Sequence, residues 1–197
     1  MAGGNMVGAR RDAHTEMIET PRLLLRPWRL SDREPFRRMN GDPRVMEFFA
    51  KTLSLKESDE LVERIDAHFQ THGYGIFAAE LRESGAFTGF IGLSIPTFQA
   101  HFTPCVEIGW RLDPAYWNRG LATEGARAVL QYGFETLALD EIVSFTVPGN
   151  LRSRRVMEKI GMHHDAAGDF DYPGLPEGHP LRRHVLYRLA RSSRVGP

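Results

Sequence analysis

The stretch Tyr116-Trp-Asn-Arg-Gly-Leu-Ala-Thr-Glu124 joins a strand-like segment to an amphipathic one. A strand that ends, a glycine that lets backbone come close, and a helix starting near Ala122 present unpaired N–H groups and a positive dipole end. That geometry holds a diphosphate, although an ordinary tight strand-to-helix turn uses the same residue types. Further along, Asn150 stands where a helix N-cap belongs, ahead of Leu-Arg-Ser153. Arg152, Arg154 and Arg155 follow it at a positive helix end, which points either to a nearby anion or to a solvated basic face. On the strand before the loop, Glu107, Gly109 and Arg111 share one face, while Ile108, Trp110 and Leu112 share the other. Gly109 packs poorly inside a strand and marks a bulge or the approach of a ligand.

Other reactive side chains have plainer readings. His163-His164 cannot easily share one ion, because adjacent strand residues point to opposite faces, and no metal site is expected. Cys105 lacks a neighbouring base and reads as a small buried strand residue.

The elements that must hold these groups are legible from pattern. Residues 1–16 have no apolar periodicity and read as a loose arm; a single domain is expected over 17–197. A strand spans about Arg22–Arg26, and Ser31-Asp32 offers an N-cap for a helix toward Met39. Ser54 and Glu57 have capping-box spacing, with Leu61, Ile65 and Phe69 on one side of the helix behind them and Gly73 closing it. Tyr74–Leu81, Phe87–Ile95 and Cys105–Leu112 form an antiparallel meander. Ala126, Leu130, Gly133, Phe134 and Leu137 make the stripe of a helix, Glu141–Val147 a strand, and Asn150–Ile160 a helix ended by Gly161. Residues 163–181 read as a long loop before a last strand, Arg183–Ala190.

Composition narrows the partners. The 197 residues carry 25 basic and 25 acidic side chains, so there is no bulk attraction to nucleic acid or to an anionic membrane, and neither partner is expected. A single cysteine excludes an intrachain disulfide and multi-cysteine metal sites, and fits a reducing compartment. No apolar run is long enough for a membrane span and no signal-peptide order opens the chain; the expected location is the cytoplasm.

Val106-Glu-Ile-Gly-Trp-Arg-Leu112, the 116–124 loop, Val147-Pro-Gly-Asn-Leu-Arg-Ser153 and Glu158-Lys-Ile-Gly-Met162 together resemble the GCN5-related N-acetyltransferase (GNAT) superfamily, in particular its RimJ/RimL-like branch. The likeness runs from Thr20-Pro-Arg-Leu-Leu-Leu-Arg26 to His184-Val-Leu-Tyr-Arg-Leu189. The expected fold is α/β: three layers around a mixed, mostly antiparallel sheet of about seven strands, splayed between the fourth and fifth, with helices on both faces. The resemblance implies acetyl coenzyme A as co-substrate and a primary amine as acceptor, either a protein N-terminal α-amine or a small molecule. It places the diphosphate on Asn118, Arg119, Gly120, Leu121, Ala122 and Thr123. It places the pantetheine arm on backbone groups of Trp110, Arg111 and Leu112, with Asn150 as a further ligand; starting a helix beside the loop, Arg152, Arg154 and Arg155 stand within reach of a phosphate at the coenzyme's adenosine end. Trp117 replaces the Gln or Arg of the wider pattern, which narrows the branch. Asp42–Phe49 and Asp169–His179 are where the resemblance puts acceptor choice, and relatives often pair as homodimers.

An amine must be neutral to attack a thioester, so a proton acceptor is needed. Glu107 is the candidate base, acting through a water, against a solvated strand glutamate as the plain alternative; Glu124, in the first turn of a helix, is read as structural. The superfamily's tyrosine acid would fall on Met157, so Ser153 is the candidate hydrogen-bond donor to the leaving sulfur, ahead of Tyr187 and Tyr172. A non-catalytic acyl-coenzyme A sensor is the alternative to an enzyme; an ATP-binding module ranks lower because the loop has no P-loop lysine.

Overall fold

A computed structural model describes residues 16–191. The 1–16 arm therefore lies outside the described residues except for Glu16, which accepts a 2.6 Å hydrogen bond from the Tyr132 hydroxyl. The chain runs β1 (Ile18–Glu19), β2 (Leu23–Arg26), α1 (Arg33–Gly41), α2 (Leu55–His72), β3 (Ile76–Leu81), β4 (Ala86–Ser94), β5 (Glu107–Leu112), α3 (Leu121–Glu135), β6 (Glu141–Thr146), α4 (Leu151–Lys159), β7 (His163–His164), β8 (Phe170–Asp171) and β9 (Arg183–Ala190).

The strands form one sheet in the order β1-β2-β3-β4-β5-β6-β9-β7, with β8 also paired to β9. Every pairing is antiparallel except β5 with β6. The class is as the sequence predicts, but nine strands replace about seven. The six strands that the pattern locates are present; β1, β7 and β8, which it does not locate, are two-residue pieces, too short to carry an alternating pattern, and two of them interrupt the segment expected to be loop.

Helices cover both faces. On one, Ile108 and Leu112 of β5 join Leu121, Ala126, Val129 and Leu130 of α3 and Met157 and Ile160 around α4 in the main core. Gly125 allows this contact to be close: a Cβ there would lie 2.4 Å from Ile91 Cδ1, which would have to move aside. On the other face Phe36 and Met39 of α1, Val62 of α2 and Phe90 of β4 form a second cluster. In α2 the capping box between Ser54 and Glu57 closes as predicted, and Gly73 ends the helix with φ 76°. The buried stripe is Val62, Ile65 and Phe69, while Leu61 is partly buried between the two clusters.

Asp32 corrects the expected N-cap of α1, making no side-chain cap bond there. It instead accepts 2.7 and 2.8 Å hydrogen bonds from the Arg26 guanidinium, which also reaches Glu80 at 2.7 Å. Both Arg26 and Asp32 are almost wholly buried, and a buried cation demands such partners. The pair ties β2 to the turn that leads into α1.

Candidate active site

The sheet opens where β5 meets β6. Their register holds a single residue pair, Glu107 with Val143, supported by the Val143 N–H donating to Val106 O at 2.9 Å. One residue later a side chain substitutes for the ladder: the Ser144 hydroxyl donates to Ile108 O at 2.9 Å. Beyond Ile108 the strands part, leaving one edge of β5 without a neighbour.

The antiparallel ladder decides which groups line this gap. Asp113 N–H donates to Thr88 O, so alternate residues Arg111 and Gly109 turn their backbone groups toward β4. Ile108, Trp110 and Leu112 turn theirs toward β6. Trp110 presents both N–H and C=O to the gap, whereas the Leu112 carbonyl accepts a 2.7 Å bond from Trp117 Nε1. Arg111 is therefore corrected: its backbone belongs to the β4 ladder, and its side chain projects onto the face it shares with Glu107.

Past Leu112, Asp113 caps a 3-10 turn over Pro114–Tyr116, Asn118 takes φ 57°, and Gly120 takes φ 77° at the mouth of α3. A left-handed Gly120 with no side chain leaves the first amides of α3, those of Leu121, Ala122 and Thr123, without a side-chain cap. An anion is the natural partner for such a cluster. Arg22 frames the mouth, donating through Nη1 to Arg119 O at 2.8 Å and pairing through Nε with Glu124 at 2.6 Å. Beside it an open cleft is lined by Arg22, Gly120, Thr123, Glu124, Arg127 and Lys159.

Glu107 sits at the closed end of the gap. No side chain among the described residues hydrogen-bonds its carboxylate, and burial pushes its pKa up to about 8. Through the Glu107–Val143 register it shares a face with Phe145, which packs among Phe98, Phe102, Phe170 and His184.

The family model described as "Acetyltransferase (GNAT) domain" matches residues 22–163. The chain belongs to this family. The acetyltransferase is 32% identical to Bacillus subtilis YkkB over 78% of this chain and 88% of that one. It is 31% identical to the FsC-acetyl coenzyme A-N(2)-transacetylase of Aspergillus fumigatus, over 88% of this chain and 76% of the relative. The fold matches Mycobacterium smegmatis RimJ, solved in complex with CoA-disulfide, with TM-score 0.74 over 93% of this chain and 91% of that one at 19% identity.

The acetyltransferase gathers most of the residues singled out in the sequence around the gap. Asn150 caps α4, accepting from Ser153 N–H at 3.2 Å and donating to Thr146 Oγ1 at 3.0 Å. Ser153 is partly buried, and its hydroxyl makes no hydrogen bond with the described residues. Arg152 forms a 2.7 Å ion pair with Glu47 and stacks 4.4 Å over the Trp117 ring, bridging α4 to the segment between α1 and α2. Arg154 donates to Pro148 O and to the Tyr187 hydroxyl, and Arg155 is exposed.

Met157 is buried in the main core, and the Tyr187 hydroxyl is held between Arg154 and Glu158. Tyr172 packs edge-on against Phe98. Glu124 accepts from Thr20 at 2.7 Å and from Arg22 backbone and side chain, a structural knot rather than a base. Cys105 lies just ahead of β5, its thiol pushed up to about 11 by burial and then by the Glu107 charge, and is a poor nucleophile.

Three residues of the cleft, Arg22, Arg127 and Lys159, escaped sequence reasoning. Each stands singly in its own element, and only the fold brings them to one opening. Asn40 escaped too, as a fully buried polar residue inside an amphipathic helix that carries no local mark of its partner Arg111.

Proposed function

We propose that this acetyltransferase moves the acetyl group of acetyl coenzyme A to a primary amine by direct attack. The observation that carries the reading is Glu107: a partly buried carboxyl with no hydrogen-bond partner among the described residues, beside a strand edge without a neighbour. The residues present fit the donor. The uncapped amides of Leu121–Thr123, with Asn118, Arg119 and Gly120, suit its diphosphate, and Arg22, Arg127 and Lys159 supply positive charge nearby. The gap-facing groups of Trp110 and the N–H of Leu112 suit its amide-bearing arm, with Asn150 and Ser153 at the adjoining helix end.

The chemistry balances without a covalent enzyme intermediate. The amine nitrogen forms a bond to the thioester carbonyl carbon, the C–S bond breaks, and the electron pair leaves on sulfur. The proton lost by the amine passes to Glu107, directly or through a water, and the thiolate takes a proton from Ser153-bound solvent or leaves as the anion. A pKa near 8 is well placed for a base working near neutrality. Amide formation and thiol release in equal amounts, measured over a panel of peptide N-termini and small amines, test the reading. Tight coenzyme binding with no thiol release for any amine would favour a sensor instead.

A further inference from the structure

Arg111 is the one side chain on the acceptor face whose environment the reaction above leaves unexplained. It projects from the middle of β5 on the same face as Glu107, against α1 and the segment before α2. Nη1 donates to the buried Asn40 Oδ1 at 2.7 Å, the Phe49 ring lies 4.3 Å from the guanidinium carbon, and the Phe90 ring lies 5.2 Å from it. No carboxylate among the described residues pairs with it, whereas Arg22, Arg26, Arg37, Arg44 and Arg188 all have one. Nε is buried and without a partner, and Nη2 makes no hydrogen bond with the described residues. The Nε–Nη2 edge is therefore a two-donor fork without a partner, its Nε end shielded from solvent, held in one orientation by Asn40 and two aromatic rings.

A buried cation without a counter-charge is costly, and burial here pulls the guanidinium down to about 10. The planar fork matches a carboxylate in geometry as well as charge. Glu107 and Arg111 are four residues apart on one face, which sets their Cα atoms roughly 13 Å apart. An amine attacking beside Trp110 lies between them, so a group bound to Arg111 is only a few bonds from the reacting nitrogen.

We propose that Arg111 is a specificity residue that receives a carboxylate of the acceptor, so that the preferred substrate is a compact amino acid rather than a plain amine or polyamine. The inference rests on the acetyl-transfer reading and deepens it. Phe49, itself exposed, stands over the guanidinium.

The test compares matched acceptors on the unmodified protein: 4-aminobutyrate against butylamine, β-alanine against ethylamine, lysine against cadaverine. The carboxylate member of a pair should have the higher kcat/KM by about 10- to 150-fold, the range expected of a charge-assisted hydrogen bond to a buried group. In R111M that ratio should fall to about one through a rise in KM for the carboxylate member, with the plain amine and the KM for acetyl coenzyme A little changed. R111K, which keeps the charge and loses the fork, should recover only part of the ratio. Equal use of both members by the wild-type chain would overturn the proposal, as would equal losses for both in the variants, which mark a purely structural role.

If no amine at all is acetylated, the acetyl-transfer reading fails while the carboxylate site is still decided by binding. In the presence of coenzyme A, 4-aminobutyrate should then raise Tm in the wild-type protein and not in R111M, and butylamine should do neither. No difference between the two ligands would overturn the site as well.

Discussion

Replacing Glu107 with glutamine keeps the side chain's shape and removes its ability to ionise. In the folded chain this carboxyl is pushed from its ordinary 4.5 up to about 8 by burial. Below pH 4.5 it is protonated in both folded and unfolded states and has no effect on the balance. As pH rises, the unfolded chain loses the proton first, so folded stability falls until pH about 8, above which both states are ionised and the penalty is constant. At about 1.4 kcal/mol per pH unit the wild-type chain gives up about 3 kcal/mol by pH 7 and at most about 5 kcal/mol above pH 8. E107Q escapes this loss. Its Tm advantage over wild type should therefore grow between pH 4.5 and 8, reaching about 6–12 °C near pH 7 for a chain of this size. Scanning calorimetry of both proteins without ligand, at half-unit pH steps, reads the effect directly. The same variant should lose about 100- to 10,000-fold in kcat, and wild-type activity, counted per unprotonated amine, should climb as pH approaches 8. Parallel stability curves for the two proteins would mean a solvated carboxylate of ordinary acidity, and Glu107 would not be the base.

Two other perturbations probe the scaffold. Gly120→Ala places a side chain at φ 77°; its nearest neighbour would be Arg22 Nη2 at an ordinary 3.5 Å, so the strain is in the backbone and should cost about 1–2 kcal/mol, with coenzyme affinity by calorimetric titration falling at least about tenfold. Asp32→Ala leaves the buried Arg26 with Glu80 as its one carboxylate among the described residues and should cost about 3 kcal/mol in urea unfolding, while the Arg26→Met, Asp32→Ala double variant should recover part of that loss.

The parts of the site that rest on local rules were legible in the sequence. Period-two alternation put Glu107, Gly109 and Arg111 on one face of β5, Asn150 announced the cap of α4, and the Ser54–Glu57 spacing announced α2. What escaped depends on partners far away along the chain. The place of Arg152 at a helix start points to an anion or to solvent and gives no sign of its ion pair with Glu47, 105 residues earlier. Asp32 had the chemistry of a cap, and a buried arginine on β2 outcompeted the helix for it. The backbone direction of Arg111 followed from ladder parity, which needs a register and not merely a strand. β7 and β8 exist only because β9 offers them an edge.

A crystal structure with acetyl coenzyme A bound tests the central claim most directly. The arm of the coenzyme should pair with the N–H and C=O of Trp110 in the gap, and its diphosphate should sit within hydrogen-bond distance of the Leu121–Thr123 amides. A β5–β6 ladder zipped shut beyond Ile108, with the coenzyme held elsewhere on the molecule, would contradict it.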